Sequence, residues 1–238
     1  AVGVGAAARH VELVGLDQAE RHGNRFGFGG SIELEKAQGD EVLLATALNG
    51  APLPAVHGAP LRAVVPGWIG ARSVKWLGRI TLGEAASENY FQSKAYRIQR
   101  EIHPENPRDV SAGVALRGVP LNAMIATPLA DDIVPEGRVE DRGWAMGSEG
   151  RPLTAVELSI NGGEEWIPAR IVVEGAAWTW TFWEAVVELR AGRHLLVARA
   201  TDAGGASQPQ HLEDAWNVKG YSNNAWHRVP IVVEDTAK

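Results

Sequence analysis

HGAPLRAVVPGWIGARSVKWLGRI, residues 57–80, carries His57, Arg62, Arg72, Lys75 and Arg79 and not one Asp or Glu, in a chain whose net charge is −6. Gly58, Gly67, Gly70 and Gly78 punctuate it. Arg offers a planar fork to phosphate, Lys a point charge, and Gly a close backbone approach, which is the combination an anionic ligand needs. A solvated basic face with turn glycines has the same composition, so both readings stand at this level. Leu61, Ala63 and Val65 alternate on one strand face ending at Pro66–Gly67, with Arg62 on the other, and Ser73 to Ile80 predicts a second strand.

Upstream, ARHVELVGLD (8–17) predicts a short strand running out at Asp17, and the polar QAERHGNRFG after it predicts a loop. FGFGGSIELEKA (26–37) predicts an extended piece and then a helix from Ser31, with Glu33 and Glu35 in its first turn. EVLLATALNGAPLP (41–54) predicts a buried apolar segment ending in an Asn49–Gly50 turn. Downstream, SENYFQSKAYRI (87–98) is polar and aromatic, and HPENPRD (103–109) is loop-like.

Near Val119–Pro120 the pattern changes to short strands and turns. In LTAVELSINGGEEWIPARI, Val156, Leu158 and Ile160 alternate and Asn161–Gly162 supplies a turn, so a hairpin is predicted. WTWTFWEAVVEL and AGRHLLVARATDAGG add further strands. This spacing points to a β-sandwich. Six of the nine tryptophans lie between Trp144 and Trp216 and predict an aromatic core for this second region. The expected division is 1–118 and 119–238.

The chain has 238 residues, 45% apolar and 22% charged, as in ordinary globular proteins. No apolar run is long enough to span a bilayer, and no membrane partner is expected. AVGVGAAARH lacks a basic leader and is not read as a signal peptide. Without an initiator Met, the chain is expected to begin inside a longer one. The acidic balance argues against nucleic acid as a partner. There is no cysteine, which removes disulfides, thiolate metal ligands and cysteine nucleophiles. The histidines, His22 among them, are scattered without the close pairing of a zinc helix, and no residue is assigned to a metal. Neither a phosphate-binding glycine loop nor a nucleophile elbow is present. Compartment is left unknown.

Several single residues have two readings each. His57 is either a donor to a ligand or a loop residue satisfied by backbone. Tyr96 is either an active-site phenol or packing. Arg228, in SNNAWHRVPI, either binds an anion or snorkels on a terminal strand. Asp17 either accepts from a ligand ring or forms a turn.

PLPAVHGAPLRAVVPGWIGARSVKWLGRI resembles the molybdopterin-binding segment of the sulfite oxidase family. VELVGLD and FGGSIELEKA resemble the family's preceding segments. LSINGGEEW, WTWTFW and WNVKGYSNNAWHRV resemble its immunoglobulin-like dimerisation domain. The resemblance implies an α+β fold, a partial cofactor domain followed by an immunoglobulin-like sandwich, and a homodimer. It implies that Asp17, His57, Arg62, Ser73, Val74 and Lys75 bind the pterin and its phosphate. Tyr96 would stand near the metal's oxo group, and Arg228 would help hold a small anionic substrate such as sulfite. The family's metal is bound by a cysteine upstream of the part resembled here, and this chain has none.

Two functions follow. One is a portion of a molybdenum-cofactor oxidoreductase acting on sulfite or a related small substrate by oxygen-atom transfer, with an unknown electron acceptor. The other is a non-catalytic truncated module that serves dimerisation. A sandwich used mainly for adhesion leaves residues 57–80 unexplained.

Overall fold

A computed structural model of the protein describes residues 3–21, 23–107 and 109–235. His22 and Arg108, both in segments expected to be loops, lie outside the described residues. The chain forms two compact units, Ala1–Gly118 with Asn217–Tyr221, and Val119–Trp216 with Ser222–Lys238.

The first unit carries β1 (His10–Arg21), β2 (Asn24–Glu33), α1 (Leu34–Ala37), β3 (Leu43–Ala45), β4 (Ala47–Leu48), β5 (Ala51–Pro52), β6 (Arg62–Val64), β7 (Leu77–Gly83), β8 (Arg97–Ile98) and β9 (Val114–Ala115). Its main sheet has the order β2-β1-β7, antiparallel throughout. Val11 and Leu13 alternate inward from β1 and meet Ile32, Ala63, Val65, Val74 and Leu77 in one core.

Several expectations for this unit change. β1 does not run out at Asp17. A bulge between Val14 and Gln18 lets it continue to Arg21, paired with β2 through the stretch expected to be a loop. Backbone pairing carries polar residues at a hairpin end, because little there is buried. No helix starts at Ser31, which is a buried residue of β2; its hydroxyl accepts from the Ser87 amide at 2.8 Å and the Gln92 amide at 3.1 Å. α1 is a single turn after it. The segment 41–54 is buried only at its end: Leu53 is buried, but Leu43, Leu44 and Leu48, on short strands, are about half exposed. The Asn49–Gly50 turn forms, both residues at positive φ, between β4 and β5. The second strand expected from Ser73 begins at Leu77, because a 3-10 turn at Gly70–Arg72 and a positive φ at Trp76 precede it.

The second unit carries β10 (Asn122–Thr127), β11 (Ile133–Pro135), β12 (Gly137–Met146), β13 (Leu153–Ser159), β14 (Ile167–Pro168), β15 (Arg170–Val173), β16 (Thr181–Leu189), β17 (Gly192–Asp202), α2 (Leu212–Ala215) and β18 (His227–Glu234). Two sheets, β10-β12-β16-β15 and β11-β18-β17-β13-β14, enclose one core that includes Leu158, Trp183, Leu189, Leu196 and Ile231. Strict alternation along β16 puts Trp183, Ala185, Val187 and Leu189 inside. The aromatic core expected here is mostly aliphatic. Of the six tryptophans, Trp183 alone is buried, while Trp144 stacks on the exposed Trp180 at 5.0 Å. The hairpin of β13 and β14 forms with a longer loop than Asn161–Gly162, tied by Ser159 and Asn161 side chains. The described architecture is mostly β with short helical pieces, and no described helix is long and apolar enough to cross a membrane.

Two buried carboxylates of the second unit titrate in opposite directions. Asp141 points into the core from β12, and neither of its oxygens meets a donor. Burial alone pushes its pKa up from 3.8 to about 7. Asp202 is buried too, and burial pushes it upward, but the Ser148 hydroxyl at 2.5 Å and the amides of Ala206, Gly204 and Ser148 outweigh that and lower it. Folded Asp141 holds its proton where the unfolded chain has lost it, so its contribution falls as pH climbs from about 4 to about 7. Asp202 has the reverse sign: its contribution is present above the unfolded pKa and is lost as pH falls through the folded one. Asp141→Asn is therefore expected to be more stable than wild type by on the order of 4 kcal/mol at about pH 8 and nearly equal to it at about pH 4. Urea unfolding at the two pH values measures this, and a gap that stays constant with pH would refute the assignment.

Candidate functional site

The basic stretch folds back on itself at one close contact. Gly58 has φ +105°, and a Cβ there would lie 2.8 Å from the Lys75 Cβ and 2.9 Å from its Cα. The Trp76 amide donates to the Gly58 carbonyl at 3.2 Å. Around that contact, the Lys75 ammonium donates to the Val56 carbonyl at 3.0 Å and the Trp76 indole to the Ala55 carbonyl at 2.8 Å. Arg62 adds a staple, donating to the carbonyls of Ala63, His57 and Ser73 at 3.3, 3.1 and 3.2 Å. A guanidinium has five N–H donors, so part of the fork remains available.

The structure thus brings His57, Arg62, Ser73, Val74 and Lys75 into one cradle. His57 is exposed. The Ser73 hydroxyl accepts from the Val65 amide at 3.0 Å. The Val74 side chain is wholly buried in the core, so it offers a ligand its backbone only. Asp17 joins them through the β1 bulge. The Leu16 amide donates to the Trp76 carbonyl at 2.8 Å, and a Cβ on Gly15 would meet Asp17 Oδ1 at 2.3 Å and the Lys75 carbonyl at 2.9 Å. Asp17 Oδ1 is buried and has no donor among the described residues.

Arg72, one turn earlier, is buried and donates only to the Leu116 carbonyl, at 3.2 Å; its Nε and Nη1 have no partner among the described residues. Burial lowers its pKa to about 10, against the opposing influence of Glu33 and Tyr96.

Tyr96 follows a π-helical turn at Phe91–Ala95 and stacks near Phe91, with ring centres 6.0 Å apart. It lines a cavity of about 520 Å³ together with Glu20, Tyr90, Lys94, Lys219 and Tyr221. Lys219 and Tyr221 were not singled out from sequence. They belong to Asn217–Tyr221, a loop distant in sequence that packs with the first unit. The only signal for them lay inside WNVKGYSNNAWHRV, next to the Arg on which the resemblance drew. Arg228 sits on β18 of the second unit, exposed, donating to the Gly162 carbonyl at 3.1 Å and, at 3.5 Å, to that of Gln210.

Two family models match the chain: the oxidoreductase molybdopterin binding domain over residues 1–91 and the Mo-co oxidoreductase dimerisation domain over residues 114–234. This chain belongs to the sulfite oxidase family of molybdopterin oxidoreductases. Mitochondrial sulfite oxidase of Macaca fascicularis is 35% identical over 94% of this chain and 42% of its own length. Sulfite oxidase of Gallus gallus is 34% identical over 92% of this chain and 49% of its own. The crystal structure of the sulfane dehydrogenase SoxCD from Paracoccus pantotrophus aligns with a TM-score of 0.76 at 27% identity, covering 95% of this chain and 55% of that one. The chain therefore spans about half the length of the relatives it matches. The family's cofactor is molybdopterin carrying molybdenum, and the match to its dimerisation domain supports a homodimer.

The cradle can be tested against that group. A phosphorylated pterin carries an anion and ring N–H donors. Arg62 and Lys75 answer the anion, and the orphaned Asp17 oxygen answers an N–H donor. The residues fit the pterin part. They do not fit the metal: there is no cysteine, and no group of three His, Asp or Glu that could hold an ion among the described residues.

Gly58 and Gly50 give a matched test of the contact at the centre of the cradle. Both have positive φ, but a Cβ at Gly50 meets nothing within 4 Å. Gly50→Ala is expected to cost on the order of 1 kcal/mol from φ alone, and Gly58→Ala on the order of 3 kcal/mol because a backbone clash is added. Thermal unfolding of the two variants separates them, and equal losses would remove the contact from its central place.

Proposed function

We propose that this chain is part of a molybdenum-cofactor oxidoreductase that oxidises sulfite or a related small sulfur oxyanion by oxygen-atom transfer. The observation that carries the reading is the gathering of Asp17, His57, Arg62, Ser73 and Lys75 into one preorganised cradle in an otherwise acidic chain. In this reading residues 1–118 are a partial cofactor domain and 119–238 an immunoglobulin-like dimerisation domain.

When bound, the cofactor supplies the two-electron redox chemistry that adds an oxygen atom to the substrate. The chain's own residues bind and orient. Arg62 and Lys75 would neutralise the phosphate, the Ser73–Lys75 backbone and His57 would donate to it, and Asp17 would accept from the pterin ring. Tyr96 offers a phenolic proton where charge develops on the substrate, and Arg228 attracts the oxyanion. The electron acceptor is a separate partner.

The lack of a metal-binding cysteine favours a second reading for the chain on its own, a dimerisation module that keeps the pterin cradle but no metal. Molybdenum analysis and turnover on the complete, cofactor-loaded protein decide between them. Sulfite-dependent reduction of an artificial acceptor is expected, and its absence across sulfite and related oxyanions would sink the enzymatic reading. Lys75→Met is expected to lower pterin occupancy on the order of tenfold, the worth of one charge-assisted phosphate contact. Fluorescence of the released pterin measures that occupancy, and unchanged occupancy would remove Lys75 from the cradle.

A further inference from the structure

Two polar groups of the second unit are buried without a partner, and they lie on neighbouring strands of one sheet. Asp141 on β12 exposes no surface, and neither carboxyl oxygen meets a donor among the described residues. Trp183 on β16 is 1% exposed, and its Nε1, a donor only, also has no partner among them. β12 and β16 are antiparallel, with Asp141 opposite Ala185 and Gly143 opposite Trp183. The two side chains therefore enter the same core on a diagonal, a separation that a large aromatic ring can bridge.

Gly143 decides where the indole lies. A Cβ there would stand 2.3 Å from Trp183 Cζ2 and 2.5 Å from its Cε2, the carbon bonded to Nε1. The ring thus occupies the space that a side chain at 143 would take, on the strand that carries Asp141 two residues away. A bare acceptor and a bare donor in one core each forgo a hydrogen bond. The carboxyl tolerates that only while it is neutral, because an isolated charge is far costlier to bury.

Among the described residues, no other charge competes for either group. Alternation puts Arg138, Glu140 and Arg142 of β12 and Glu184 and Glu188 of β16 on the outer face. In the facing sheet, Glu157 and Arg199 pair with each other at 2.8 Å. The titratable groups in the inward register of β17 and β18 are already engaged. Asp202 meets the Ser148 hydroxyl, His194 the Arg190 carbonyl at 2.8 Å, and His227 the Ile125 amide at 3.1 Å. Burial, rather than any neighbouring charge, is what perturbs Asp141.

We propose that Asp141 and Trp183 form a proton-operated latch inside the second unit. While Asp141 keeps its proton, the Trp183 ring stays over Gly143. When the proton leaves, the indole N–H swings to the carboxylate and the ring withdraws from Gly143. Trp144 and Phe182 are the next residues along the same two strands and are paired across them, so they share the movement. Trp180 stacks on Trp144 at 5.0 Å and meets Phe182 edge-on at 6.4 Å. The protonation state of a buried acid is thereby read out on an exposed aromatic face. The inference concerns the second unit alone and stands whether or not the proposed oxidation is correct.

Nitrogen–proton correlation spectra of the tryptophan indoles in the 238-residue chain, between about pH 4 and about pH 8, test it. Trp183→Phe identifies the Trp183 signal by its loss. In wild type that signal should move downfield in one proton step, and the Trp180 signal should move with it. Asp141→Asn keeps the shape and removes the ionisation, so it should abolish both movements. Asp141→Val, apolar and suited to the core, gives the same test should the amide disturb folding, which circular dichroism reports. His227→Gln should leave both movements in place. A Trp183 signal that stays still across the range overturns the latch. So does a movement that persists in Asp141→Asn, or one that disappears in His227→Gln.

Discussion

The approach of Gly58 to Lys75 is the constraint from which the basic cradle follows. Two backbones meet at a distance that admits no side chain on one of them. Once they meet, the Lys75 ammonium and the Trp76 indole reach the carbonyls of Val56 and Ala55, and Arg62 bridges His57 to Ser73. Trp76 pays with a positive φ. Such strain persists only where surrounding bonds over-determine it, as they do here. The consequence for binding is preorganisation: the cationic groups are held before any ligand arrives, so little ordering entropy is lost on association.

Burial by itself does not set the charge state of an ionisable group in this chain. Asp141 and Asp202 both expose almost no surface, yet one is pushed up to about 7 and the other is lowered. Asp141 lies deeper and has no donor, whereas Asp202 lies shallower and has a hydroxyl and three amides. Arg72 lies between these cases, with one carbonyl for its fork and its pKa drawn down to about 10. The first unit thus concentrates cationic groups within an acidic protein, which shapes a local field that the net charge of −6 conceals.

What was legible in the sequence was mostly local. Period-two alternation in LTAVELS and TFWEAVVEL marked strands, and their inward residues form the core. Leu61, Ala63 and Val65 share a face as their spacing requires, and Asn49–Gly50 turns. The basic run of 57–80 identified the cradle's main segment. What was not legible depended on partners distant in the chain. The β1 bulge that brings Asp17 inward is defined by pairing with two other strands. Leu43, Leu44 and Leu48 looked like core because apolar composition does not reveal whether a second layer covers a strand. The tryptophans looked like core for the same reason, although most sit on outer faces. No local pattern links Lys219 and Tyr221 to Tyr96, since that contact crosses more than a hundred residues.

That long crossing has a consequence for how the protein is made. Residues 217–221 leave a ribosome only after all the strands of the second unit except β18 have been synthesised. Tyr96 therefore spends most of translation without its neighbour Tyr221, and Gln99 without the amide of Val218. Closing a loop of this length carries an entropic cost that local contacts do not repay until the Asn217 turn forms. The cradle of residues 57–76, whose contacts are short in sequence, can assemble on the nascent chain, and the cavity beside Tyr96 is completed only later.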